Sequence, residues 1–254
     1  MVADIKLAHI APTSDLDYAI KRSGMNMVLA HVADADDEYA EAFRLSGKET
    51  LLDNGAFENG VPLGTAEMIR IGKKVGADIL VLPDYPFEPW AKGWLNIENH
   101  IKVYKDAGFK TMFVPQSIKG DSLGFEMSIH NALNHAGIDY IGLSILGCPN
   151  AYDQLNPMKV REHILSLFYH DIPDKKLHIL GMLDSVDEIK RLTYYKEKIN
   201  SWDTSAAVWY GVNGLCVADR DDKYMEKVDF SRVTTDESLH ELTSANIDYM
   251  EDLL

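Results

Sequence analysis

The sequence predicts a (β/α)₈ barrel that spans residues 1–254 as a single domain. Short apolar runs recur along the chain, helix signals lie between them, and 254 residues is a common size for one such barrel. The alternative is an open, doubly wound sheet, which would normally carry a glycine-rich phosphate loop after its first strand. Ala8-His9-Ile10-Ala11-Pro12 stands there instead.

Eight apolar runs are predicted to be strands. Most of them are continuous rather than alternating, which is typical of strands covered on both faces. The predicted strands are Ile5–Ile10, Met27–Val32, Thr50–Asp53, Asp78–Pro83, Lys110–Pro115, Asp139–Ile145, Lys176–Gly181 and Asn200–Asp203.

The segments between these runs carry helix signals. Asn156-Pro157 is an N-cap followed by a first-turn proline, and Ser185 with Glu188 forms a capping box. The segment 236–254 has apolar residues at helical spacing and is predicted to be a closing helix. The stretch 206–233 is long for one loop, so we expect an extra hairpin or arm there.

Composition and charge exclude several classes of protein. Lys plus Arg number 25 and Asp plus Glu 40, so the formal net charge of −15 excludes a cationic protein that coats nucleic acid. A polynucleotide held in one local groove stays open. The only cysteines, Cys148 and Cys216, exclude a disulfide scaffold and a thiolate zinc site. Neither a signal peptide nor an apolar run of about 18 residues is visible, so we expect a cytoplasmic protein without a membrane partner.

Three aspartates fall at predicted strand ends. In a barrel, the C-terminal ends of the strands face one shared mouth, and Asp53, Asp84 and Asp203 end strands 3, 4 and 8. Each alone has an ordinary explanation as a turn or helix-cap residue. Their convergence predicts a site. Gln116 adds an amide donor and acceptor, and Gly142 lets a ligand approach an exposed backbone N–H.

Two chemistries suit three converging carboxylates. They can bind Mg²⁺ together with a substrate phosphate. They can also divide the roles of nucleophile, proton donor and base recognition in glycosyl chemistry. A carboxylate, an amide and a backbone N–H together suit a flat heterocycle such as guanine.

Weaker signals lie at the same predicted mouth. His9 and His31 end strands 1 and 2, where they can contact a sugar or phosphate or serve as hydrogen-bonded rim residues; both interpretations stay open. Cys148 is expected to line the pocket at most. Lys119 and Arg220 follow strands 5 and 8 and are the best-placed candidates for phosphate contacts.

A series of short motifs runs from strand 3 to a point beyond strand 8. They are Leu52-Asp53-Asn54-Gly55-Ala56-Phe57, Gly76-Ala77-Asp78-Ile79 leading to Asp84, Val114-Pro115-Gln116, Ile141-Gly142-Leu143-Ser144, Ile179-Leu180-Gly181, Ser201-Trp202-Asp203 and Asn213-Gly214-Leu215. In order and spacing, this series resembles the tRNA-guanine transglycosylase superfamily over roughly residues 50–215. No single motif is specific.

The resemblance implies roles for these residues in a base-exchange pentosyltransferase. Asp203 would attack C1′ and form a covalent glycosyl-enzyme, and Asp53 would be the general acid/base. Asp84 would bind N1–H and N2–H₂ of the base, and Gln116 with the Gly142 N–H would bind O6. Leu143 would lie near the 7-substituent, and Phe57 and Leu180 would sandwich the ring. The predicted substrate-binding residues are Asp84, Gln116, Gly142, Leu143, Phe57, Leu180, Gly181 and His31.

Departures from the family suggest which branch the chain resembles. The tRNA enzymes carry a zinc subdomain with three cysteines and a histidine after strand 8, and this shorter chain lacks those residues. A compact chain is similar to the phage-type branch that replaces guanine in DNA with a 7-deazaguanine of the preQ0 or preQ1 type. The prediction is therefore a DNA-guanine transglycosylase without a cofactor or metal, acting in the host cytoplasm if phage-encoded. It would hold DNA in a local groove, flip out the target guanine and take up a free 7-deazaguanine.

Alternatives remain open. One is a tRNA-guanine transglycosylase, which the departures argue against. Another is a nucleoside hydrolase of the same superfamily, in which water replaces the incoming base. A third is a non-catalytic partner subunit, and a fourth is a metal-dependent barrel enzyme.

Overall fold

The computed structural model describes residues 5–170, 175–182, 186–218 and 236–254. These residues form an eight-stranded, all-parallel sheet that curls into a nearly closed barrel with helices around it, so the predicted (β/α)₈ fold is confirmed. The strands are β1 (Lys6–His9), β2 (Asn26–Leu29), β3 (Thr50–Asp53), β4 (Ile79–Val81), β5 (Lys110–Phe113), β6 (Tyr140–Ser144), β7 (Lys176–Leu180) and β8 (Ile199–Thr204).

The strand order is β1-β8-β7-β6-β5-β4-β3-β2, so consecutive strands are paired from β2 to β8, and β8 returns to pair with β1. The helices are α1 (Leu16–Arg22), α2 (Ala30–Ala35), α3 (Asp37–Ser46), α4 (Ala56–Asn59), α5 (Thr65–Val75), α6 (Ile97–Asp106), α7 (Ser122–Asn134), α8 (Gly147–Ala151), α9 (Pro157–Phe168), α10 (Val186–Leu192), α11 (Ala206–Val212) and α12 (Glu237–Glu251). Short 3₁₀ turns occupy Thr13–Asp15, Trp90–Trp94 and Thr193–Tyr195. Within the described ranges, no helix combines the length and apolar character needed to cross a membrane.

The seam between β1 and β2 depends on a close backbone approach at Gly24. Its N–H donates to the Leu7 carbonyl at 2.8 Å. A Cβ at this position would lie 3.1 Å from the Lys6 Cα, so a larger residue would push the two strands apart. The absence of a Cβ at Gly24 therefore helps to bring the two ends of the sheet together.

A hydrogen-bonded charge network closes the N-terminal end of the barrel. Glu49 accepts from Lys6 Nζ at 2.9 Å, Lys110 Nζ at 3.2 Å and the Tyr140 hydroxyl at 2.9 Å. Burial alone would raise the pKa of Glu49, but these hydrogen bonds outweigh burial and lower the pKa to about 2. Above this network the barrel interior is mostly apolar, and it contains buried Leu51, Met112 and their neighbours.

Two predicted boundaries, the start of one helix and the end of one strand, can be compared with the structure. The Asn156 side chain accepts from the Lys159 N–H at 3.0 Å at the start of α9, with Pro157 in the first turn, so this cap is confirmed. Strand β2 ends at Leu29 rather than Val32, because the chain turns into α2 at Ala30. The prediction that His31 ends a strand is therefore wrong, since it lies in the first turn of that helix.

The predicted arm and closing helix fall partly in the described chain. Residues 206–212 of the arm form α11, while 219–235 and the capping residue Ser185 lie outside the described residues. Helix α12 covers most of the predicted closing helix and packs tightly on α11. A Cβ on Gly211 would lie 2.0 Å from Thr243 Oγ1, so only glycine allows this approach. His9 at the end of β1 bonds Glu251 of α12 at 3.0 Å.

Candidate active site

A cavity of about 270 Å³ opens at the C-terminal ends of the strands. This is the end of a (β/α)₈ barrel where active sites are found. Most of the predicted site residues line it, namely Asp53, Phe57, Asp84, Gln116, Leu180, Gly181 and Asp203. The fold thus brings the three predicted carboxylates to one cavity.

Three predicted residues do not line this cavity. Leu143 is 1% exposed and packs in the layer between sheet and helices. Gly142 lies below the cavity, where a Cβ would be 2.7 Å from Leu180 Cδ1. Side chains alternate along a strand, so the β6 residue that reaches the cavity is Ser144. His31 lines a neighbouring cleft and, within the described chain, its buried Nδ1 has no hydrogen-bond partner.

Asp203 is held at one of its two carboxylate oxygens. Its Oδ1 accepts from the Gly181 N–H at 3.1 Å and lies 2.9 Å from His178 Nε2. The other ring nitrogen of His178, Nδ1, lies 2.8 Å from Ser201 Oγ. Sequence reasoning missed His178 and Ser201. The signal was their alternation, because each lies two residues before an inward-facing residue, Leu180 and Asp203 respectively.

The main chain of Gly181 is fixed from behind. Its carbonyl accepts from Arg161 Nη1 at 2.9 Å and from Trp202 Nε1 at 3.2 Å. Arg161 Nε lies 3.1 Å from Glu188 Oε1, and both side chains are completely buried. The φ of Gly181 is +73°, in the left-handed region that favours glycine. These contacts aim the Gly181 N–H at Asp203.

Asp53 has a strongly perturbed proton affinity. Burial, together with the negative charges of Glu58, Asp84 and Asp203, raises the pKa of Asp53 to about 7. The Gly55 N–H donates to Asp53 Oδ2 at 2.9 Å and partly opposes this rise. A carboxyl group with this pKa exchanges its proton near neutrality, which suits a general acid/base.

Two side-chain amides donate hydrogen bonds to the carboxylate of Asp84. Asn54 Nδ2 donates to its Oδ1 and Gln116 Nε2 to its Oδ2, each at 2.8 Å. Burial raises the pKa of Asp84, and these two hydrogen bonds act against the rise. Gln116 Oε1 is buried and has no hydrogen-bond partner among the described residues. A Cβ on Gly147 would lie 2.8 Å from this oxygen, so the glycine makes room for the amide.

The walls of the cavity are apolar and partly aromatic. Phe57 is 63% exposed and Phe87 is 46% exposed, and both line the cavity. Met27, Val114 and Leu180 provide apolar lining. Carboxylates facing apolar walls suit a flat ring that carries hydrogen-bond donors on its edge. Such a ring would stack against the aromatic side chains.

The weaker candidates have other surroundings. Cys148 does not line the cavity, and burial raises the pKa of its thiol to about 12, so it is not an active nucleophile. Lys119 pairs with Asp153 at 3.0 Å, and Arg220 lies outside the described residues. Among the residues that the structure describes, no group of three or more His, Cys, Asp or Glu side chains is arranged to hold a metal ion.

Comparison with known proteins adds no assignment to this geometry. No protein-family model matches the chain, and no curated protein matches it in sequence. The function must therefore be argued from the cavity and from the order and spacing of its motifs.

Proposed function

We propose that the protein is a pentosyltransferase that exchanges guanine in DNA for a free 7-deazaguanine base through a covalent intermediate on Asp203. The observation that carries this proposal is that Asp203 and Asp53 line one cavity in contrasting environments. Asp203 receives hydrogen bonds at Oδ1, whereas Asp53 has a pKa of about 7. Two carboxyl groups set apart in this way can divide the roles of nucleophile and general acid/base.

The exchange needs two displacements at C1′. Asp203 forms a bond to C1′ while the C1′–N9 bond to guanine breaks, and the departing base takes a proton from Asp53. The incoming 7-deazaguanine then loses its N9 proton to the Asp53 carboxylate. Its N9 forms the new bond to C1′, and the bond from C1′ to Asp203 breaks. Asp53 thus gives a proton in the first half and recovers one in the second.

Asp84 supports recognition of the base. Its carboxylate can accept from N1–H and N2–H₂ of a guanine-like edge while Asn54 and Gln116 hold it in place. Gln116 donates one Nε2 hydrogen to Asp84, which leaves its second Nε2 hydrogen to donate to O6. Phe57 and Leu180 line the same cavity and would contact the faces of the ring.

DNA as the substrate rests on the resemblance to the phage-type branch. A base flipped out of a duplex can enter a cavity at the end of a barrel, and exposed aromatic side chains can stack on extruded bases. Phe57 and Phe87 are such side chains at this cavity. The free 7-deazaguanine would use the same cavity after guanine leaves.

The decisive experiment uses radiolabelled preQ0 with a DNA duplex or with tRNA. We expect label in DNA, a 7-deazaguanine nucleoside by mass spectrometry, and a protein–DNA adduct on denaturing gels. Asp203→Ala should abolish all three, while Asp106→Ala, an exposed residue of α6, should retain them. Label in tRNA alone would replace the DNA substrate. If neither nucleic acid becomes labelled or forms an adduct, the proposal is wrong, and the alternative of a non-catalytic partner subunit is favoured. Loss of activity with EDTA would favour the metal-dependent alternative.

A second candidate, a nucleoside hydrolase that acts on free nucleosides, is favoured by charge. The net charge is −15, and Lys92 and Lys119 are paired with Glu88 and Asp153 respectively. A small uncharged nucleoside needs no cationic surface. Release of guanine from guanosine or deoxyguanosine without incorporation of preQ0 would support this candidate against base exchange.

A further inference from the structure

A continuous chain of hydrogen bonds runs from the barrel interior to the cavity. Ser201 Oγ lies 2.8 Å from His178 Nδ1, and His178 Nε2 lies 2.9 Å from Asp203 Oδ1. His178 is completely buried, Ser201 is 2% exposed and Asp203 is 4% exposed. A buried histidine with both ring nitrogens engaged is held in one orientation. The three residues therefore act as one unit.

The direction of this chain distinguishes it from a serine hydrolase. The same three residue types make up the Ser-His-Asp triad, in which the serine attacks the substrate. Here Asp203 lines the cavity, whereas Ser201 and His178 do not. The reactive end of the chain is the carboxylate, and the serine is its buried end.

The partners also determine the tautomer of His178. An ionised carboxylate can only accept hydrogen bonds, so His178 must donate Nε2–H to Asp203. In the neutral ring, Nδ1 then accepts the hydroxyl hydrogen of Ser201. Both donors to Asp203, His178 Nε2–H and Gly181 N–H, meet at Oδ1. The structure records no hydrogen bond from any described residue to Oδ2, which leaves that oxygen for attack.

We propose that His178 is a positioning residue that fixes the Asp203 carboxylate with Oδ2 toward the sugar, and that Ser201 holds the His178 ring in its orientation through Nδ1. The proposal rests on the proposed function, because it takes Asp203 as the nucleophile. In the covalent intermediate Oδ1 becomes the ester carbonyl oxygen and keeps the same two donors. When the ester breaks, negative charge returns to the carboxylate, so these donors stabilise Asp203 as a leaving group.

Kinetics of paired substitutions test the positioning role. His178→Phe removes the donor, and we expect kcat to fall about 100-fold with KM changed less than about 3-fold, because His178 does not line the cavity. His178→Gln places an amide N–H near the position of Nε2 and should recover much of kcat. His130→Phe, at an exposed position of α7, is the matched control and should leave kcat unchanged. Equal losses in His178→Phe and His178→Gln, at unchanged thermal stability, would overturn the proposal.

Nitrogen-15 NMR of the histidine rings tests the tautomer without any substrate. In the wild-type protein at neutral pH, we expect the His178 signals, assigned through backbone-to-ring correlations in the wild type, to show a protonated Nε2 and an unprotonated Nδ1. Ser201→Ala removes the hydroxyl beside Nδ1, so it should shift the Nδ1 signal and lower kcat. A ring protonated at Nδ1 in the wild type would overturn the proposal even if the variants fail to fold.

The two proposals fail in different ways. If the wild-type protein forms no adduct through Asp203, the proposed function is wrong, while NMR still tests the hydrogen-bond chain. If the wild type forms the adduct and His178→Phe forms and resolves it at the wild-type rate, the positioning role is wrong and the proposed function stands.

Discussion

Replacement of Asp53 by asparagine is predicted to stabilise the fold while removing the proposed exchange activity. The pKa of Asp53 rises from its usual 3.8 to about 7, first because of burial and then because of neighbouring negative charges. A tenfold change in proton affinity corresponds to about 1.4 kcal/mol, so ionising Asp53 in the folded protein costs at most about 4 kcal/mol. Water in the open cavity reduces this cost, and we expect a gain of about 1–2 kcal/mol in Asp53→Asn.

Because the pKa of Asp53 is raised in the folded protein, the stability difference between Asp53→Asn and the wild type depends on pH. Below pH 4 the aspartate is protonated in both the folded and the unfolded chain, so the two proteins should differ little there. Between about pH 4 and pH 7 only the unfolded chain ionises, and this lowers the stability of the wild type progressively. Above about pH 7 the difference is constant. Asparagine Oδ1 can still accept the hydrogen bond that the Gly55 N–H gives to Asp53, so the substitution keeps the local turn.

Urea unfolding of both proteins at pH 5.5 and pH 8 measures this difference. The free energy of unfolding should favour Asp53→Asn at both values and more strongly at pH 8. Glu58→Gln is a second useful variant, because the charge of Glu58 raises the pKa of Asp53. Its removal should lower that pKa, so the stability difference should become constant at a lower pH. A variant that is less stable than the wild type, or a difference independent of pH, would refute the assignment of a raised pKa.

Three further predictions concern the scaffold. Glu49→Gln should lose about 1 kcal/mol of stability at neutral pH, a value that is reduced because the lysine partners of Glu49 are exposed. The pKa of Glu49 is lowered to about 2, so this loss should shrink as the pH falls from about 4.5 toward 2. Urea titrations at several pH values measure it. Gly211→Val should cost about 2 kcal/mol and lower the Tm, because its side chain would overlap Thr243; an unchanged Tm would contradict the close packing of α11 on α12. Iodoacetamide should alkylate Cys148 only after unfolding, because the thiol is buried with a pKa of about 12; peptide mapping that finds Cys148 modified in the native protein would contradict this burial.

The barrel could be predicted from the sequence because its strands are short, continuous apolar runs. Thr50–Asp53 matches the predicted third strand at both ends. The second strand was predicted too long because Ala30-His31-Val32 is apolar enough to continue a strand. These residues instead begin a helix that packs on the sheet. Hydrophobicity alone does not separate the two in a run this short.

The candidate site was only partly predictable. Strand ends identify which carboxylates share a mouth, and this placed Asp53, Asp84 and Asp203 correctly at one cavity. Gly142 was chosen by motif, but it shares the inward face of β6 with Ser144 and lies deeper, so Ser144 rather than Gly142 reaches the cavity. His178 could not be inferred from strand ends, because its importance comes from a contact between neighbouring strands. That contact depends on the register of β7 against β8.

The hydrogen-bonded network around Glu49 fills the end of the barrel opposite the cavity that Asp203 lines. Lys6, Lys110 and Tyr140 converge on that carboxylate, and buried apolar side chains such as Leu51 and Met112 lie in the barrel interior between it and the cavity. A molecule bound beside Asp203 would therefore enter and leave through this cavity. Under the proposed chemistry, the departing guanine and the incoming 7-deazaguanine would occupy this cavity in turn. Free guanine would therefore compete with the base that replaces it.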